Sequence, residues 1–211
     1  MTTTATEHAA PRRDGRTERT HRALTVAAIR RFSEQGYDAT TVDQIAAEAG
    51  VTQRTYFHHF PTKEAVLFGG YEARLHDTTE AFRTAVRSGS LAEGLHAATS
   101  ALVAAIETQR DLFLLRGRLY RETPALRATM LRLNEDWIDN VTLVVADELE
   151  IDPTTDVAAR LAATVANSAN RVAIDLWTAS GGTLDLATLA RDSVDAIRPA
   201  LDAIDHRVAR A

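Results

Sequence analysis

The chain has 211 residues, of which 45% are hydrophobic and 25% are charged, and its formal net charge is −5. This is the ordinary composition of a soluble globular protein with one or two domains. No apolar run approaches the roughly 18 residues that a membrane span needs, so a membrane protein is not expected. The absence of cysteine excludes disulfides, thiolate nucleophiles and cysteine-based zinc sites.

The first 16 residues, MTTTATEHAAPRRDGR, lack the apolar core of a signal peptide. They predict a disordered N-terminal arm, and a cytoplasmic location is the default. Residues 1–60 hold eight arginines and seven acidic residues, a balance of +1, whereas the remainder has a balance of −6. Such asymmetry indicates different functions for the two parts, although a net charge of +1 is far from a basic patch.

The hydrophobic periodicity is helical nearly throughout, and no strand alternation is found. A first helix is predicted over residues 17–35, a second over 42–49 and a third from residue 53 to the residue before Pro61. Glycines at positions 36 and 50 end the first two helices. Threonine caps are expected at Thr41, Thr52 and Thr62. Gln44 completes a capping box with Thr41, and Thr62 begins a long fourth helix over 62–87.

Beyond the break at residues 88–90, five further helices are predicted, and Pro124 and Pro153 suit the first turns of two of them. Their expected ranges are 91–108, 110–121, 124–150, 153–179 and 184–208. The predicted fold is all-α, with an N-terminal three-helix helix-turn-helix domain over 17–67. A C-terminal helical bundle for ligand binding and dimerisation follows over 68–211.

The stretch GVTQRTYFHHFPTKEAV (residues 50–66) places polar and aromatic side chains on a helix too short to be stable alone. Two short helices joined at 49–52 form a helix-turn-helix, whose second helix lies in the DNA major groove. Gln53 suits adenine and Arg54 suits guanine as bidentate partners. Thr41, Thr55 and His59 are expected to donate to phosphates, and the lone lysine, Lys63, adds a cation.

Many positions of residues 17–67 resemble the DNA-binding domain of TetR-family repressors. The matching residues are Phe32, Gly36-Tyr37, Thr40-Thr41-Val42, Ile45-Ala46, Ala49-Gly50-Val51-Thr52, Thr55, Phe57, His59-Phe60 and Lys63-Glu64. The resemblance implies a homodimeric transcriptional repressor that binds a palindromic operator in double-stranded DNA and is released by a small ligand. The expected DNA-binding residues are Thr41, Thr52, Gln53, Arg54, Thr55, Tyr56, Phe57, His58, His59 and Lys63.

Phe57 departs from the family, which most often has a tyrosine there whose hydroxyl reaches a phosphate. Phe57 cannot donate a hydrogen bond, and the neighbouring Tyr56 can do so only if it points outward. The alternative is that Tyr56, Phe57 and Phe60 form a small core that holds the third and fourth helices together.

The last two predicted helices carry small and apolar residues at helical spacing and are expected to form a homodimer interface. In the first of them the small residues are Ala158, Ala159, Ala162, Ala163, Ala166, Ala169 and Ala173, beside Leu161, Val165, Val172 and Leu176. The alternative is that these residues are buried inside one monomer.

A pocket for a small hydrophobic effector is expected in the C-terminal domain, because aromatic residues there alternate with a few polar groups. The predicted ligand-binding residues are Phe113, Arg116, Trp137, Val141, Asn170 and Trp177. Residues 116–189 also resemble, more loosely, a TetR branch with acyl-CoA-like ligands. Arg116, Arg118 and Arg121 suit a phosphate or a carboxylate, but a solvated basic face is the favoured interpretation.

Gly69 and Gly70 fall inside the predicted fourth helix, where each glycine costs about 1 kcal/mol relative to alanine. They indicate either a hinge or a close helix contact, and their replacement by alanine is expected to stabilise the protein. No nucleophile motif or phosphate loop is present, so no enzyme, cofactor or metal site is predicted. Glu72 and His76 could share a metal but more simply form a solvated surface. A dimeric helical scaffold without DNA regulation is the alternative function.

Overall fold

The computed structural model describes residues 13–87 and 89–208, and within them the regular structure is entirely helical. Its nine α-helices and one 3-10 helix are, in chain order, α1 (Arg13–Gln35), α2 (Val42–Glu48), α3 (Gln53–His59), the 3-10 helix (Glu64–Phe68), α4 (Tyr71–Val86), α5 (Leu91–Thr108), α6 (Arg110–Glu122), α7 (Pro124–Glu148), α8 (Val157–Ala179) and α9 (Leu186–Val208). The predicted all-α fold is confirmed. Of the predicted arm, residues 1–12 lie outside the described residues, whereas 13–16 already belong to α1.

The chain divides into two units at Gly69 and Gly70. In the first unit, α1 packs against α2 and the 3-10 helix, and α2 packs against α3. The fully or almost fully buried side chains of this core are Leu24, Ala28, Phe32, Ile45, Ala46, Tyr56, Phe60, Val66 and Leu67. Ion pairs from Arg30 and Arg31 of α1 to Glu48 join α1 to the end of α2.

The predicted continuous fourth helix is wrong. Lys63 occupies the cap position of the 3-10 helix without a side-chain cap, and the regular structure stops at Phe68. Gly70 then adopts a left-handed conformation with φ of 74°, and α4 begins only at Tyr71. A side chain carrying Cβ disfavours this conformation, so Gly70 has a steric role at the break.

The second unit is a bundle of α4 to α9 with two buried apolar clusters. The larger cluster takes residues from α4, α5, α7, α8 and α9, including Leu95, Val141 and Leu201. The smaller cluster lies around Trp177 and Phe113. Asp156 caps α8, so the expected start at Pro153 is wrong, and residues 153–155 form a turn instead.

Helix α8 is apolar on two faces. Its alanines, from Ala158 to Ala173, are buried inside the bundle against neighbouring helices. The expectation that this alanine face forms the dimer interface is therefore corrected. A different stripe, comprising Val157, Leu161, Val172 and Leu176, is between 47% and 67% exposed. We call these four residues the outer stripe of α8.

Candidate nucleic-acid interface and ligand cavity

The turn between α2 and α3 is built from local backbone hydrogen bonds. Gly50, with φ of 69°, takes the left-handed position after the Ala49 cap. The Val51 N–H donates to the Ala46 carbonyl at 2.9 Å and the Gly50 N–H to the Ala47 carbonyl at 3.1 Å. This is a Schellman motif, which ends α2 and redirects the chain into α3.

Both short helices begin at threonine caps, as the sequence predicts. The Thr41 hydroxyl accepts from the Gln44 N–H, and the Gln44 side chain accepts from the Thr41 N–H at 2.9 Å. The Thr52 hydroxyl accepts from the Thr55 N–H at 3.1 Å. A hydroxyl that accepts at a cap still has its own proton, so the exposed Thr41 can also donate to an external anion.

The first turn of α3 exposes Gln53 and Arg54, and His58 is exposed one turn later. Within the described part of the chain, neither Gln53 nor Arg54 makes a side-chain hydrogen bond or ion pair. Their donors and acceptors are available to an outside partner, on a helix whose position is set by the buried Tyr56 and Phe60.

Tyr56 is removed from the predicted DNA-contacting residues because its side chain is 0% exposed. Its hydroxyl donates to the carbonyls of Thr62 and Lys63 at 3.2 and 2.9 Å. Burial raises the pKa of this hydroxyl, which keeps it protonated as a donor. Phe57 packs edge-on against Tyr56 but remains 47% exposed. The small-core alternative therefore holds for Tyr56 and Phe60, and only in part for Phe57.

The sequence predicts that Lys63 contacts DNA, but its side chain is directed into the domain. Its Nζ donates to the carbonyls of Tyr37 and Thr40 at 2.8 and 2.9 Å and lies 4.0 Å from the centre of the Tyr37 ring. These contacts hold the loop that precedes α2. The Lys63 side chain is thus used inside the domain, where it positions the Thr41 cap.

His21 of α1 belongs to the same unit, and the sequence predicts no role for it. Its ring lies 4.5 Å from the Phe60 ring and 6.3 Å from the His59 ring. Burial lowers the His21 pKa, and the nearby His59 lowers it further. Burial and His58 lower the pKa of His59 in the same direction. His21 and His59 therefore favour their neutral forms.

In the second unit, a cavity of about 40 Å³ lies between α6, α7 and α8. It is lined by Phe113, Arg116, Gly117, Tyr120, Met130, Asn134, Arg171, Ile174, Asp175 and Thr178. At roughly 10–15 Å³ per water, it holds only a few water molecules. A larger ligand must therefore move the helices around it.

Arg116 lies on the wall of this cavity and is only 8% exposed. The favoured interpretation of a solvated basic face is thus wrong for Arg116, although Arg118 and Arg121 are exposed. Its guanidinium lies 3.9 Å from the centre of the Phe113 ring. Burial, with the nearby charge of Arg74, lowers the Arg116 pKa to about 9.

The structure brings together only part of the predicted ligand set. Phe113 and Arg116 line the cavity, while Trp177 lies beside Phe113 in the smaller cluster. Trp137 and Val141 pack in the larger cluster instead. Asn170 is buried and accepts a 2.9 Å hydrogen bond from Thr99.

The sequence predicts no role for Arg74, although its spacing along the helix indicates a partly buried position. It shares a helical face with Tyr71, Leu75, Thr78 and Phe82, most of which are buried or partly buried. A charged residue in the register of an apolar face is expected to be drawn into the interior.

Comparison with known proteins agrees with both units. Residues 24–68 match the family model of bacterial regulatory proteins of the TetR family, and residues 89–202 match the model of the MftR C-terminal domain. The regulator TcmR of Streptomyces glaucescens is 31% identical over 201 residues, covering 90% of this chain and 87% of TcmR. The chain belongs to the TetR family. It is therefore a DNA-binding transcriptional regulator and not an enzyme.

Solved structures of TetR-family regulators share the fold. FadR of Bacillus subtilis, in complex with stearoyl-CoA, has a TM-score of 0.56 at 18% identity, covering 83% of this chain and 96% of FadR. Thermus thermophilus FadR, in complex with lauroyl-CoA, has a TM-score of 0.55 at 22% identity, covering 83% of this chain and 91% of that FadR. Across the described residues of this TetR-family chain, no helix is long and apolar enough to cross a membrane. The same residues include no group of three side chains suited to a metal ion.

Proposed function

We propose that this TetR-family regulator is a cytoplasmic homodimeric repressor that leaves a palindromic operator when a small hydrophobic effector binds. The observation that carries the proposal is the exposed first turn of α3. There Gln53 and Arg54 have no partner among the described residues, while a buried core holds the helix in place. Polar side chains exposed on so short a helix are expected to bind an outside partner.

In the major groove, Arg54 would bind guanine and Gln53 adenine, each through two hydrogen bonds. Thr41, Thr52, Thr55, His58 and His59 would contact the phosphate backbone or base edges near α3. Phe57 is exposed and apolar, so it would contribute contact with a thymine methyl group or a sugar.

The homodimer would form through the outer stripe of α8. Its four large apolar residues are exposed, and α9, which packs against α8, exposes the small residues Ala196, Ala200 and Ala203. A second copy of this chain is the expected partner, because a two-fold interface pairs a surface with the same surface of another copy. The same two-fold axis would place one α3 on each half of a palindrome. Large exposed apolar stripes on helices are typical of such interfaces.

The effector would enter the second unit near Phe113 and Trp177. The FadR proteins of similar fold carry stearoyl-CoA and lauroyl-CoA, and this supports an acyl-CoA-like or other hydrophobic effector here. Since the cavity is only about 40 Å³, effector binding would separate α6, α7 and α8. That movement is the proposed source of the signal that weakens DNA binding.

Selection of bound sequences from random DNA tests the DNA-binding part of the proposal. The wild type should enrich a palindrome with half-sites about one DNA turn or more apart. Arg54→Ala should weaken binding by about 1–3 kcal/mol and relax preference at one position in each half-site, without changing stability.

Lys63→Ala is the contrasting variant, because it removes two hydrogen bonds inside the domain. It should lower the free energy of unfolding by about 1–3 kcal/mol and leave base preference intact. If Arg54→Ala keeps the full wild-type preference, or no palindrome is enriched, the proposed reading of DNA fails.

A further inference from the structure

The segment that leads into α2 is held by side chains from two other parts of the first unit. From the end of α1, Gln35 Nε2 donates to Gln44 Oε1 at 2.9 Å and to Thr40 Oγ1 at 3.2 Å. Lys63, which precedes the 3-10 helix, donates from Nζ to the carbonyls of Tyr37 and Thr40 at 2.8 and 2.9 Å. Thr40 itself is only 1% exposed. The chain is therefore anchored immediately before α2 begins.

The next residue, Thr41, is exposed and is fixed at both its backbone and its side chain. Its N–H donates to Gln44 Oε1 at 2.9 Å, and the same oxygen accepts from Gln35. The Thr41 hydroxyl accepts from the Gln44 N–H at 3.3 Å and still has its own proton to donate. A donor that is held in place before its partner arrives loses less conformational entropy on binding than a mobile one.

We propose that Gln35 and Lys63 are positioning residues, which hold the Thr41 hydroxyl where it donates to a DNA phosphate and which do not contact DNA themselves. The inference rests on the proposed function, in which Thr41 contacts DNA. For Lys63 this role differs from the direct phosphate contact that the sequence predicts. Two of the three N–H donors of its ammonium group are used by carbonyls inside the domain.

Three roles for these residues differ in their effect on DNA affinity and on its salt dependence. A lysine that contacts a phosphate releases counterions, so its loss lowers the slope of log affinity against log salt by about one per half-site. Loss of a neutral hydroxyl contact weakens binding without changing that slope. A residue that only stabilises the fold changes neither quantity as long as the protein remains folded. Fluorescence anisotropy at several KCl concentrations measures both, with the full chain and the duplex that the wild type enriches from random DNA.

Thr41→Val removes the hydroxyl and should weaken binding by about three- to tenfold per half-site, as expected for one hydrogen bond. Gln35→Met and Lys63→Met should each weaken binding by about two- to fivefold, with the wild-type salt slope and base preference. In a Thr41→Val background neither change should have a further effect, because the group through which both act is gone. Thr41→Ser keeps a hydroxyl, and in that background both effects should return.

Gln109→Met is the matched control, since it makes the same chemical change at an exposed glutamine of the second unit whose side chain makes no cap hydrogen bond. It should bind the duplex as the wild type does. Circular dichroism establishes that each variant is folded. Should Lys63→Met fail to fold, the cycle of Gln35→Met with Thr41→Val decides alone.

The inference is overturned if folded Gln35→Met binds with wild-type affinity, or if its effect persists undiminished in the Thr41→Val background. A lowered salt slope in Lys63→Met would overturn it for Lys63, because the lysine would then contact a phosphate directly. If Thr41→Val binds the duplex normally, Thr41 makes no contact and the inference fails, while the proposed repressor function stands. If the wild type enriches no duplex, the proposed function fails and the inference fails with it.

Discussion

The two units present their polar residues in opposite ways. In the first unit, Gln53 and Arg54 are exposed on a helix that local caps and a small aromatic core position. In the second, Arg116 is buried on the wall of the cavity between long helices. Polar residues that bind a macromolecule must be accessible before it arrives, whereas those that bind a small effector can be enclosed by the fold. The same residue type, arginine, therefore has to be judged by its surroundings.

Within the second unit, the two apolar faces of α8 provide the largest test. Ala166→Glu places a carboxylate in the buried cluster, where Ala166 is 5% exposed, and should lower the free energy of unfolding by about 3 kcal/mol or more. Leu161→Glu changes a residue that is 47% exposed, and it should give a folded, helical monomer. Circular dichroism melting and light scattering measure both outcomes.

This result would show that one helix serves the monomer core on one side and the dimer on the other. If Leu161→Glu remains dimeric while Ala166→Glu gives a folded monomer, the original assignment of the alanine face would be restored. If both variants are dimeric and stable, the interface lies on another surface.

The boundary between the units provides an intermediate test. Gly70→Ala should lower the free energy of unfolding by about 1–2 kcal/mol, because residue 70 has a φ of 74°. Gly69→Ala should also destabilise, since its Cβ would lie 2.7 Å from Cε1 of His21. The continuous fourth helix that the sequence predicts would give the opposite sign for both variants.

Gly15→Ala is the matched control for these two variants. Gly15 lies in α1, and a Cβ there would meet nothing within 4 Å, so alanine should stabilise by up to about 1 kcal/mol. Chemical denaturation compares the three variants. An increase in stability in Gly70→Ala would show that a continuous helix from the 3-10 segment into α4 is accessible.

The smallest expected effect concerns the histidines of the first unit. The folded-state pKa values of His21 and His59 lie below the ordinary value, so the unfolded chain binds more protons as pH falls through about 6.5. Stability from this source is present above that pH and is lost at lower pH. Thermal unfolding between pH 7.5 and 5.5 should show a modest decrease in wild-type stability.

His21→Phe should reduce this pH dependence, because phenylalanine retains contact with Phe60 but does not titrate. An equal pH slope in wild type and His21→Phe would remove His21 as its source.

The sequence alone determined the all-α class and the helix-turn-helix, including the start of α3 at Gln53 and the caps at Thr41 and Thr52. These features depend on residues three or four positions apart and on glycine at one turn, so they can be read along the chain. The exposure of Arg54 follows from its place in the first turn of that short helix.

Only the tertiary structure decided which apolar face of α8 is buried, that Lys63 binds the carbonyls of Tyr37 and Thr40, and that Arg116 lies beside Phe113. Helical spacing identifies the faces of a helix, but burial depends on neighbours that come from distant parts of the chain. The break at Gly70 is of the same kind, because glycine permits a left-handed residue without requiring one.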